Sequence, residues 1–400
     1  MKVLHVYRTY FPDTQGGLEE VIRQICLNTR ALGIESRVFT LSADVKVPVI
    51  HSAEGDIVRA KKTFEIASTG FSFQGFAEFK RQAQWADIVH YHFPWPYADL
   101  LHRFLPKGKA SVMTYHSDII RQRVLGFFYR PLMQHFLNSV DRIVATSPNY
   151  VASSKVLADY SDKLETIPIG ISESSYPKVD SESSVTKKIT DQYGHGYFFF
   201  IGILRYYKGL HLLLDAMKGA PYKLVIAGTG PAESELKKQV EQLGLDNVFF
   251  TGFVSDEEKM VLLHNCRAVV FPSYLRSEAF GVTLLEGAMS GRALISTEVG
   301  TGTSYINADN KTGFVVESNN TVALRSAMDR LYADDGLCSA FGNAARKRYE
   351  AMFTGQMMAE CYGRLYAKLL NVDISQLKPL ACEGIPVTAE ADNVRRHYLS

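Results

Sequence analysis

The strongest constraint in this chain is a rhythm. Short runs rich in Val, Ile and Phe alternate with longer amphipathic stretches along almost its whole length. Runs that are apolar at every position suit parallel strands covered on both faces, and the stretches between them are long enough to cross back as helices. The pattern predicts strands at Lys2–Tyr7, Ser36–Leu41, Asp87–His92, Ala110–His116, Arg142–Thr146 and Glu165–Ile169, with helices at Leu18–Leu32, Phe76–Trp85, Phe127–Ser139 and Pro148–Ala158. The polar stretch Ser172–Thr190 then reads as a linker. Beyond it the rhythm restarts, with strands at Tyr197–Ile201, Lys223–Ala227, Val248–Thr251, Ala268–Phe271, Ala293–Ser296 and Gly313–Val316. Ser255 and Glu258 have the spacing of a capping box. Helices at Thr321–Tyr332, Phe341–Met352 and Gln356–Leu370 close the ordered part.

The class is therefore α/β, and 400 residues exceed what one such core usually organises. The expected division is a first domain over 1–185, a second over 186–355, a helix over 356–371 and an irregular tail over 372–400. A formal net charge of +2 gives no ground for a nucleic-acid partner. Cys26, Cys266, Cys338, Cys361 and Cys382 are odd in number and contain no CxxC pair, which argues against a disulfide framework or a zinc site and fits a reducing compartment. The first residues enter a strand pattern directly, without a signal-like region, and no apolar run approaches the roughly 20 residues that span a bilayer. The expectation is a cytoplasmic protein whose membrane contact, if any, is made by its surface.

In doubly wound sheets, ligands meet the loops that leave the carboxyl ends of strands. After the first strand, Gly16-Gly17 opens a helix. Such a junction presents backbone N–H groups to an anion, or serves a purely steric need. The loop after the first strand of the second half carries Arg205 and Lys208, which converge on a diphosphate unless the loop is only a solvated turn. Gly228-Thr229-Gly230-Pro231 makes another tight strand-to-helix turn, at which a nucleotide can lie close.

The densest segment is Ser277-Glu278-Ala279-Phe280-Gly281-Val282-Thr283-Leu284-Leu285-Glu286-Gly287. Along a helix, Glu278 and Glu286 would stand ~12 Å apart, about the span between the two sugars of a nucleotide diphosphate sugar. One could hold the hexose and the other the ribose, while N–H groups of Phe280, Gly281 and Val282 face the distal phosphate. The plainer alternative is one capping glutamate and one surface glutamate.

This segment resembles the E-x7-E motif of the retaining glycosyltransferases of family 4, grouped with sucrose synthase and the bacterial mannosyltransferases. The resemblance extends over nearly the whole chain, because Gly16-Gly17, Thr114-Tyr115-His116-Ser117-Asp118, Arg205 with Lys208, Gly228-Thr229-Gly230 and both glutamates occur in the family's order. It implies a GT-B fold, in which two Rossmann-like domains face each other across a cleft and a C-terminal helix returns to the first. It also implies roles: Glu278 on the donor sugar, Glu286 on the ribose, Arg205 and Lys208 on the leaving diphosphate, and His116 on the donor sugar from the first domain. One departure stands out. Many relatives carry the arginine directly after the loop glycine, where this chain has Ile203.

Fixed cations and N–H donors at the departing diphosphate stabilise the transition state more than the ground state. With no Asp-x-Asp triplet in the sequence, the expectation is transfer without a divalent metal or other cofactor. The resemblance implies front-face attack with retention of configuration. Stretches such as Tyr-His-Phe-Pro at 91–94 and Leu-Arg-Ser-Glu-Ala-Phe-Gly at 275–281 are similar to bacterial O-polysaccharide mannosyltransferases. That implies a GDP-mannose or related GDP-deoxyhexose donor and a lipid-diphosphate-linked glycan acceptor. Two segments interleave basic and aromatic residues, Lys61 to Arg81 and Arg121 to Arg130, and these suit either an anionic membrane surface or an ordinary core with solvated charges. The rival functions are a nucleotide-sugar epimerase of the same fold and a non-catalytic subunit of a glycan-assembling complex.

Overall fold

A computed structural model describes residues 1–66, 69–118 and 123–373, with the backbone alone over 123–128. Cys382 and nearly all of the expected tail lie outside the described residues. Two compact units divide the chain, one formed by Met1–Gly170 with Thr354 onward, the other by Ile171–Phe353.

The first unit contains β1 (Lys2–Val6), α1 (Gly17–Arg30), β2 (Glu35–Ser42), β3 (Val49–Ser52), β4 (Gly55–Lys61), β5 (Phe64–Ile66), β6 (Thr69–Phe71) and α2 (Phe73–Trp85). It continues with β7 (Ile88–Phe93), α3 (Pro96–His102), β8 (Ala110–Tyr115), α4 (Arg123–Ser139), β9 (Arg142–Ala145), α5 (Pro148–Ser153) and β10 (Leu164–Thr166). Among the described residues its main sheet has the order β10-β9-β8-β7-β1-β2-β4-β3, parallel except where β3 meets β4. The chain leaves β1 toward β2 on one side and later returns to β7 on the other, so the strand order reverses at β1.

Burial explains the central strands. Val3, Leu4 and Val6 of β1 and every residue of β7 are buried, as a strand covered by helices on both faces requires. The rhythm nevertheless hides polar groups. His5 lies opposite His90, and His92 opposite Thr114, on one face of β1, β7 and β8.

The second unit contains α6 (Ser184–Tyr193), β11 (Phe198–Ile201), α7 (Leu210–Ala216), β12 (Leu224–Ala227), α8 (Glu233–Leu243), β13 (Val248–Gly252) and α9 (Asp256–Asn265). After these come β14 (Ala268–Phe271), α10 (Val282–Met289), β15 (Ala293–Glu298), α11 (Thr303–Ile306), β16 (Gly313–Glu317), α12 (Thr321–Ala333) and α13 (Asp335–Met352). Its parallel sheet runs β13-β12-β11-β14-β15-β16. The last helix, α14 (Gly355–Leu370), belongs to the first unit, where Tyr366 bonds His90 at 2.7 Å and Tyr362 bonds Thr114 at 2.9 Å. The capping box forms as spaced: Ser255 Oγ accepts from Glu258 N–H, and the Glu258 carboxylate accepts from Ser255 N–H.

Several boundaries differ from the sequence pattern, each for a local reason. β3 and β4 add a hairpin at the sheet edge and β5–β6 a separate one. The residues of β3, β5 and β6 are exposed or half-exposed, and Asp56 and Arg59 interrupt β4, so none gives a continuous apolar run to read. The helix expected from Phe76 starts at Phe73, because the Ser72 side chain accepts from Gly75 N–H. The one expected to reach Ala158 stops at Ser153, where the next hydroxyl, Ser154 Oγ, turns to Asp118 at 3.0 Å. The second unit begins at Ile171 rather than 186. Ile171 N–H donates to Phe353 O, Tyr349 OH donates to Ile171 O, and Glu173 pairs with Arg346 at 2.7 Å. Part of the expected linker is itself helical, as α6, with Ser183 as its cap.

Candidate functional site

In the second unit β11 lies between β12 and β14, so the strand order reverses there and the loops leaving β11 and β14 emerge side by side. These are the loops that carry Lys208 and Glu278. The two side chains form an ion pair, only 12% and 11% exposed. Ser273 Oγ adds a hydrogen bond to the same carboxylate oxygen at 3.3 Å. The Lys208 ammonium also lies over the Phe271 ring, 4.6 Å from its centre. Gly209 makes the approach possible. Its φ of 69° is left-handed, and a Cβ there would overlap the Pro272 carbonyl oxygen.

Glu278 is not on a helix. The expected single helix carrying both glutamates is broken by Gly281, which takes a φ of 98° and caps α10, so only Glu286 is helical. The ~12 Å helical spacing therefore does not apply. The break leaves the N–H groups of Phe280, Gly281 and Val282 at the head of α10 without an acceptor among the described residues. Thr283 Oγ1 donates to Ile201 O at 3.1 Å and ties that helix head to the end of β11.

Glu286, 6% exposed, accepts from Lys259 at 2.9 Å and from Tyr176 OH at 3.2 Å. Burial alone would lower the Lys259 ammonium, but Glu286 and Asp256 outweigh it and hold the group above its ordinary value. Neither Lys259 nor Tyr176 was expected from the sequence. Lys259 follows directly on the capping-box glutamate, but no spacing links it or Tyr176 to Glu286. Gly228 and Gly230 lie against the carbonyl oxygens of Gly202 and Leu204, where a Cβ would overlap, so the loop after β12 packs against the loop after β11. Arg205 is not drawn into the Lys208 pair. Leu204 is buried and turns the following arginine outward, where it is exposed.

In the first unit, Gly16 and Gly17 stand at the head of α1 as expected, yet a carboxylate already occupies the space beside them. Glu19 accepts from Thr9 Oγ1 at 2.9 Å and Thr14 Oγ1 at 2.8 Å and lies against Gly16. His116 follows β8 and is 4% exposed; its backbone N–H donates to Phe93 O. Asp118 does not orient it, because that carboxylate accepts from Tyr115 OH and Ser154 Oγ. The partner of His116 is His92, at 3.0 Å, which sequence reasoning missed. Burial lowers the His116 imidazole to about 3, so the ring is neutral. Among the described cysteines, Cys26, Cys266, Cys338 and Cys361 form no disulfide.

The family described as Glycosyltransferase Family 4 matches residues 15–175, and Glycosyl transferases group 1 matches residues 185–348. The chain is 49% identical over 354 residues to D-rhamnosyltransferase WbpZ of Pseudomonas aeruginosa, covering 88% of this chain and 92% of that protein. It is 46% identical over 371 residues to O-antigen chain mannosyltransferase C of Escherichia coli, covering 93% and 99%. Among solved structures, sucrose-phosphate synthase from Thermosynechococcus elongatus superposes with a TM-score of 0.77 at 21% identity, over 92% of this chain and 99% of that one.

Proposed function

Because the chain belongs to the family 4 glycosyltransferases and has their GT-B fold, we propose that it moves a hexose from a GDP-sugar to a lipid-diphosphate-linked glycan in bacterial surface-polysaccharide assembly. Mannose, or a related deoxyhexose such as rhamnose, is the transferred sugar. The names of the two relatives support this choice, one a mannosyltransferase of O-antigen chains and the other a D-rhamnosyltransferase.

The observation that carries the reading is the Lys208–Glu278 pair beside the unpartnered N–H groups at the head of α10. An arriving diphosphate takes the ammonium and the N–H donors, which frees Glu278 to accept from sugar hydroxyls. As the glycosidic bond breaks, negative charge grows on the diphosphate, and the same groups bind it more tightly. Glu286 holds the ribose in exchange for part of its Lys259 and Tyr176 bonds. Arg205 swings in from solvent, and His116 contacts the transferred sugar. The acceptor hydroxyl attacks on the face the diphosphate leaves, its proton passing to the departing phosphate, so configuration is retained. Fixed cations take the place of a divalent metal.

The acceptor's lipid calls for a surface that meets a bilayer. Phe64, Ile66, Phe73 and Phe104 are exposed, and ring contacts link Phe73 to Phe64 and Phe64 through Phe71, Tyr97 and Phe76 to Phe104. Lys61, Lys80, Arg81 and Arg103, on the same segments, are exposed as well. We assign this face to anionic lipid at the inner surface of the cytoplasmic membrane. The other basic and aromatic segment, 121–130, lies largely outside the described side chains. No described helix is long and apolar enough to cross a membrane.

The test is nucleotide release from GDP-mannose, GDP-rhamnose and UDP-glucose with short lipid-linked acceptors, with NMR of the product anomer and a parallel run in EDTA. Release that depends on acceptor and a GDP-sugar, with retained anomer and no loss in EDTA, is the expected result. An inverted product, a UDP requirement or loss of turnover on chelation would each remove the corresponding part.

A further inference from the structure

Across one buried face of β1, β7 and β8 runs a chain of three imidazoles. His5 Nδ1 lies 3.1 Å from His92 Nε2, and His92 Nδ1 lies 3.0 Å from His116 Nε2. The rings meet edge to edge and nearly coplanar, with 24° and 21° between successive planes. Burial lowers His5 and His116 to about 3 and His92 well below its ordinary value, with His90 and His116 adding to the effect on His92. The chain is neutral at physiological pH.

Neutrality leaves few places for the protons. Each ring carries one N–H, and each contact needs one donor and one acceptor. Only two arrangements satisfy both contacts, one with all three protons on Nδ1 and one with all three on Nε2. They differ at the far end. His5 Nε2 is buried and has no partner. Protons on Nε2 would bury an N–H there with no acceptor, whereas protons on Nδ1 leave only a lone pair, and orphaned buried N–H groups are the rarer of the two.

We infer that His5 and His92 are positioning residues that hold His116 in the Nδ1–H tautomer, a fixed hydrogen-bond donor at the carboxyl end of β8. His116 Nδ1 has no partner among the described residues, so its proton is free for a substrate oxygen. His90 stands apart from the chain. Its two nitrogens bond Tyr366 OH and Thr114 Oγ1, both at 2.7 Å. The cluster His5, His90 and His92 could be read as a metal site, since it offers ring nitrogens within 4.8 Å of one another. His90 and His92 already use both nitrogens, so a metal would have to break hydrogen bonds that this arrangement keeps.

The activity consequence rests on the reading that His116 contacts the transferred sugar; the tautomer does not. Long-range proton–nitrogen correlation NMR on the full chain labelled with 15N-histidine reads the tautomer directly. His5, His92 and His116 are expected as neutral Nδ1–H rings, opposite to the form that dominates for a free histidine in water, and unchanged as pH crosses the ordinary histidine range. A His116 ring protonated on Nε2 overturns the inference. His5→Phe, which removes the end donor, is expected to let His116 revert to Nε2–H and to lower kcat about tenfold with little change in donor KM. His5→Asn, whose amide can donate from near the Nδ1 position, should restore both. If His116 keeps its Nδ1–H in His5→Phe, the positioning role is wrong. A tautomer that reverts with turnover unchanged supports the role of His5 but removes the sugar contact from the proposed function.

Discussion

Lys208 and Glu278, 70 residues apart in sequence, meet as a nearly covered ion pair where the loops from β11 and β14 emerge. A pair this enclosed has two consequences, one for turnover and one for stability, and the two can be separated.

Replacing Lys208 by Met removes the cation from the diphosphate end, and kcat should fall about 100-fold, the usual loss for one transition-state donor. It also leaves Glu278 enclosed and unpaired, which costs about 3 kcal/mol of stability. Adding Glu278→Gln should recover most of that stability without recovering turnover. Urea denaturation and nucleotide release measure the two effects, and near-normal kcat in Lys208→Met would exclude Lys208 from the reaction.

The second glutamate gives a graded series. Tyr176→Phe removes one neutral donor from Glu286 and should cost about 1 kcal/mol. Lys259→Met strands a buried carboxylate and should cost about 3 kcal/mol. Denaturation of both variants checks the order, and equal losses would mean that Tyr176 and Lys259 are not supporting the same carboxylate as described.

Stability should fall with acid well before the carboxylates titrate. His5, His90, His92, His102 and His116 are all lowered by burial, His5 and His116 to about 3 and His102 to about 4, from an ordinary 6.5. Between those values the unfolded chain binds protons that the folded chain does not. The stability present above about pH 6.5 is therefore lost as pH drops below it, at up to about 1.4 kcal/mol per pH unit for each ring. Urea midpoints taken at several pH values from about 7.5 to 5 should decline steeply, and a flat series would contradict the burial of these rings in solution.

Phe64, Phe73 and Phe104 are 40%, 71% and 50% exposed on the face assigned to lipid. Changing all three to Ser should weaken binding to vesicles rich in anionic lipid at least tenfold, with little effect on the melting temperature, because these rings already lie partly in water. Vesicle flotation measures it. Equal binding by the triple variant would move the membrane contact elsewhere.

Much of the fold was legible because its signals are local. A buried parallel strand announces itself by a short run of mostly apolar residues, and a capping box by two residues three apart, so β1, β7, β11, β14 and the head of α9 could be placed from the sequence. The loop position of Lys208 followed, since loops after strands are where doubly wound sheets bind, whereas Glu278, expected on a helix with Glu286, lies in the loop before it. β3 to β6 escaped notice because these short strands mix polar and apolar residues, with β5 exposed throughout and β4 interrupted by Asp56 and Arg59.

By itself, then, the sequence determined two α/β halves and the loop that carries Arg205 and Lys208. Tertiary structure alone decided their partners: Glu278 released from the helix by Gly281, Glu286 enclosed by Lys259 and Tyr176 from 27 and 110 residues away, and His116 joined to His92 rather than to Asp118. The physical reason is the strand order. Residues that meet across parallel strands are far apart in the chain, and β7 with β1 and β11 with β14 are not even consecutive strands, so which polar groups meet depends on how strands pair and which face each side chain takes.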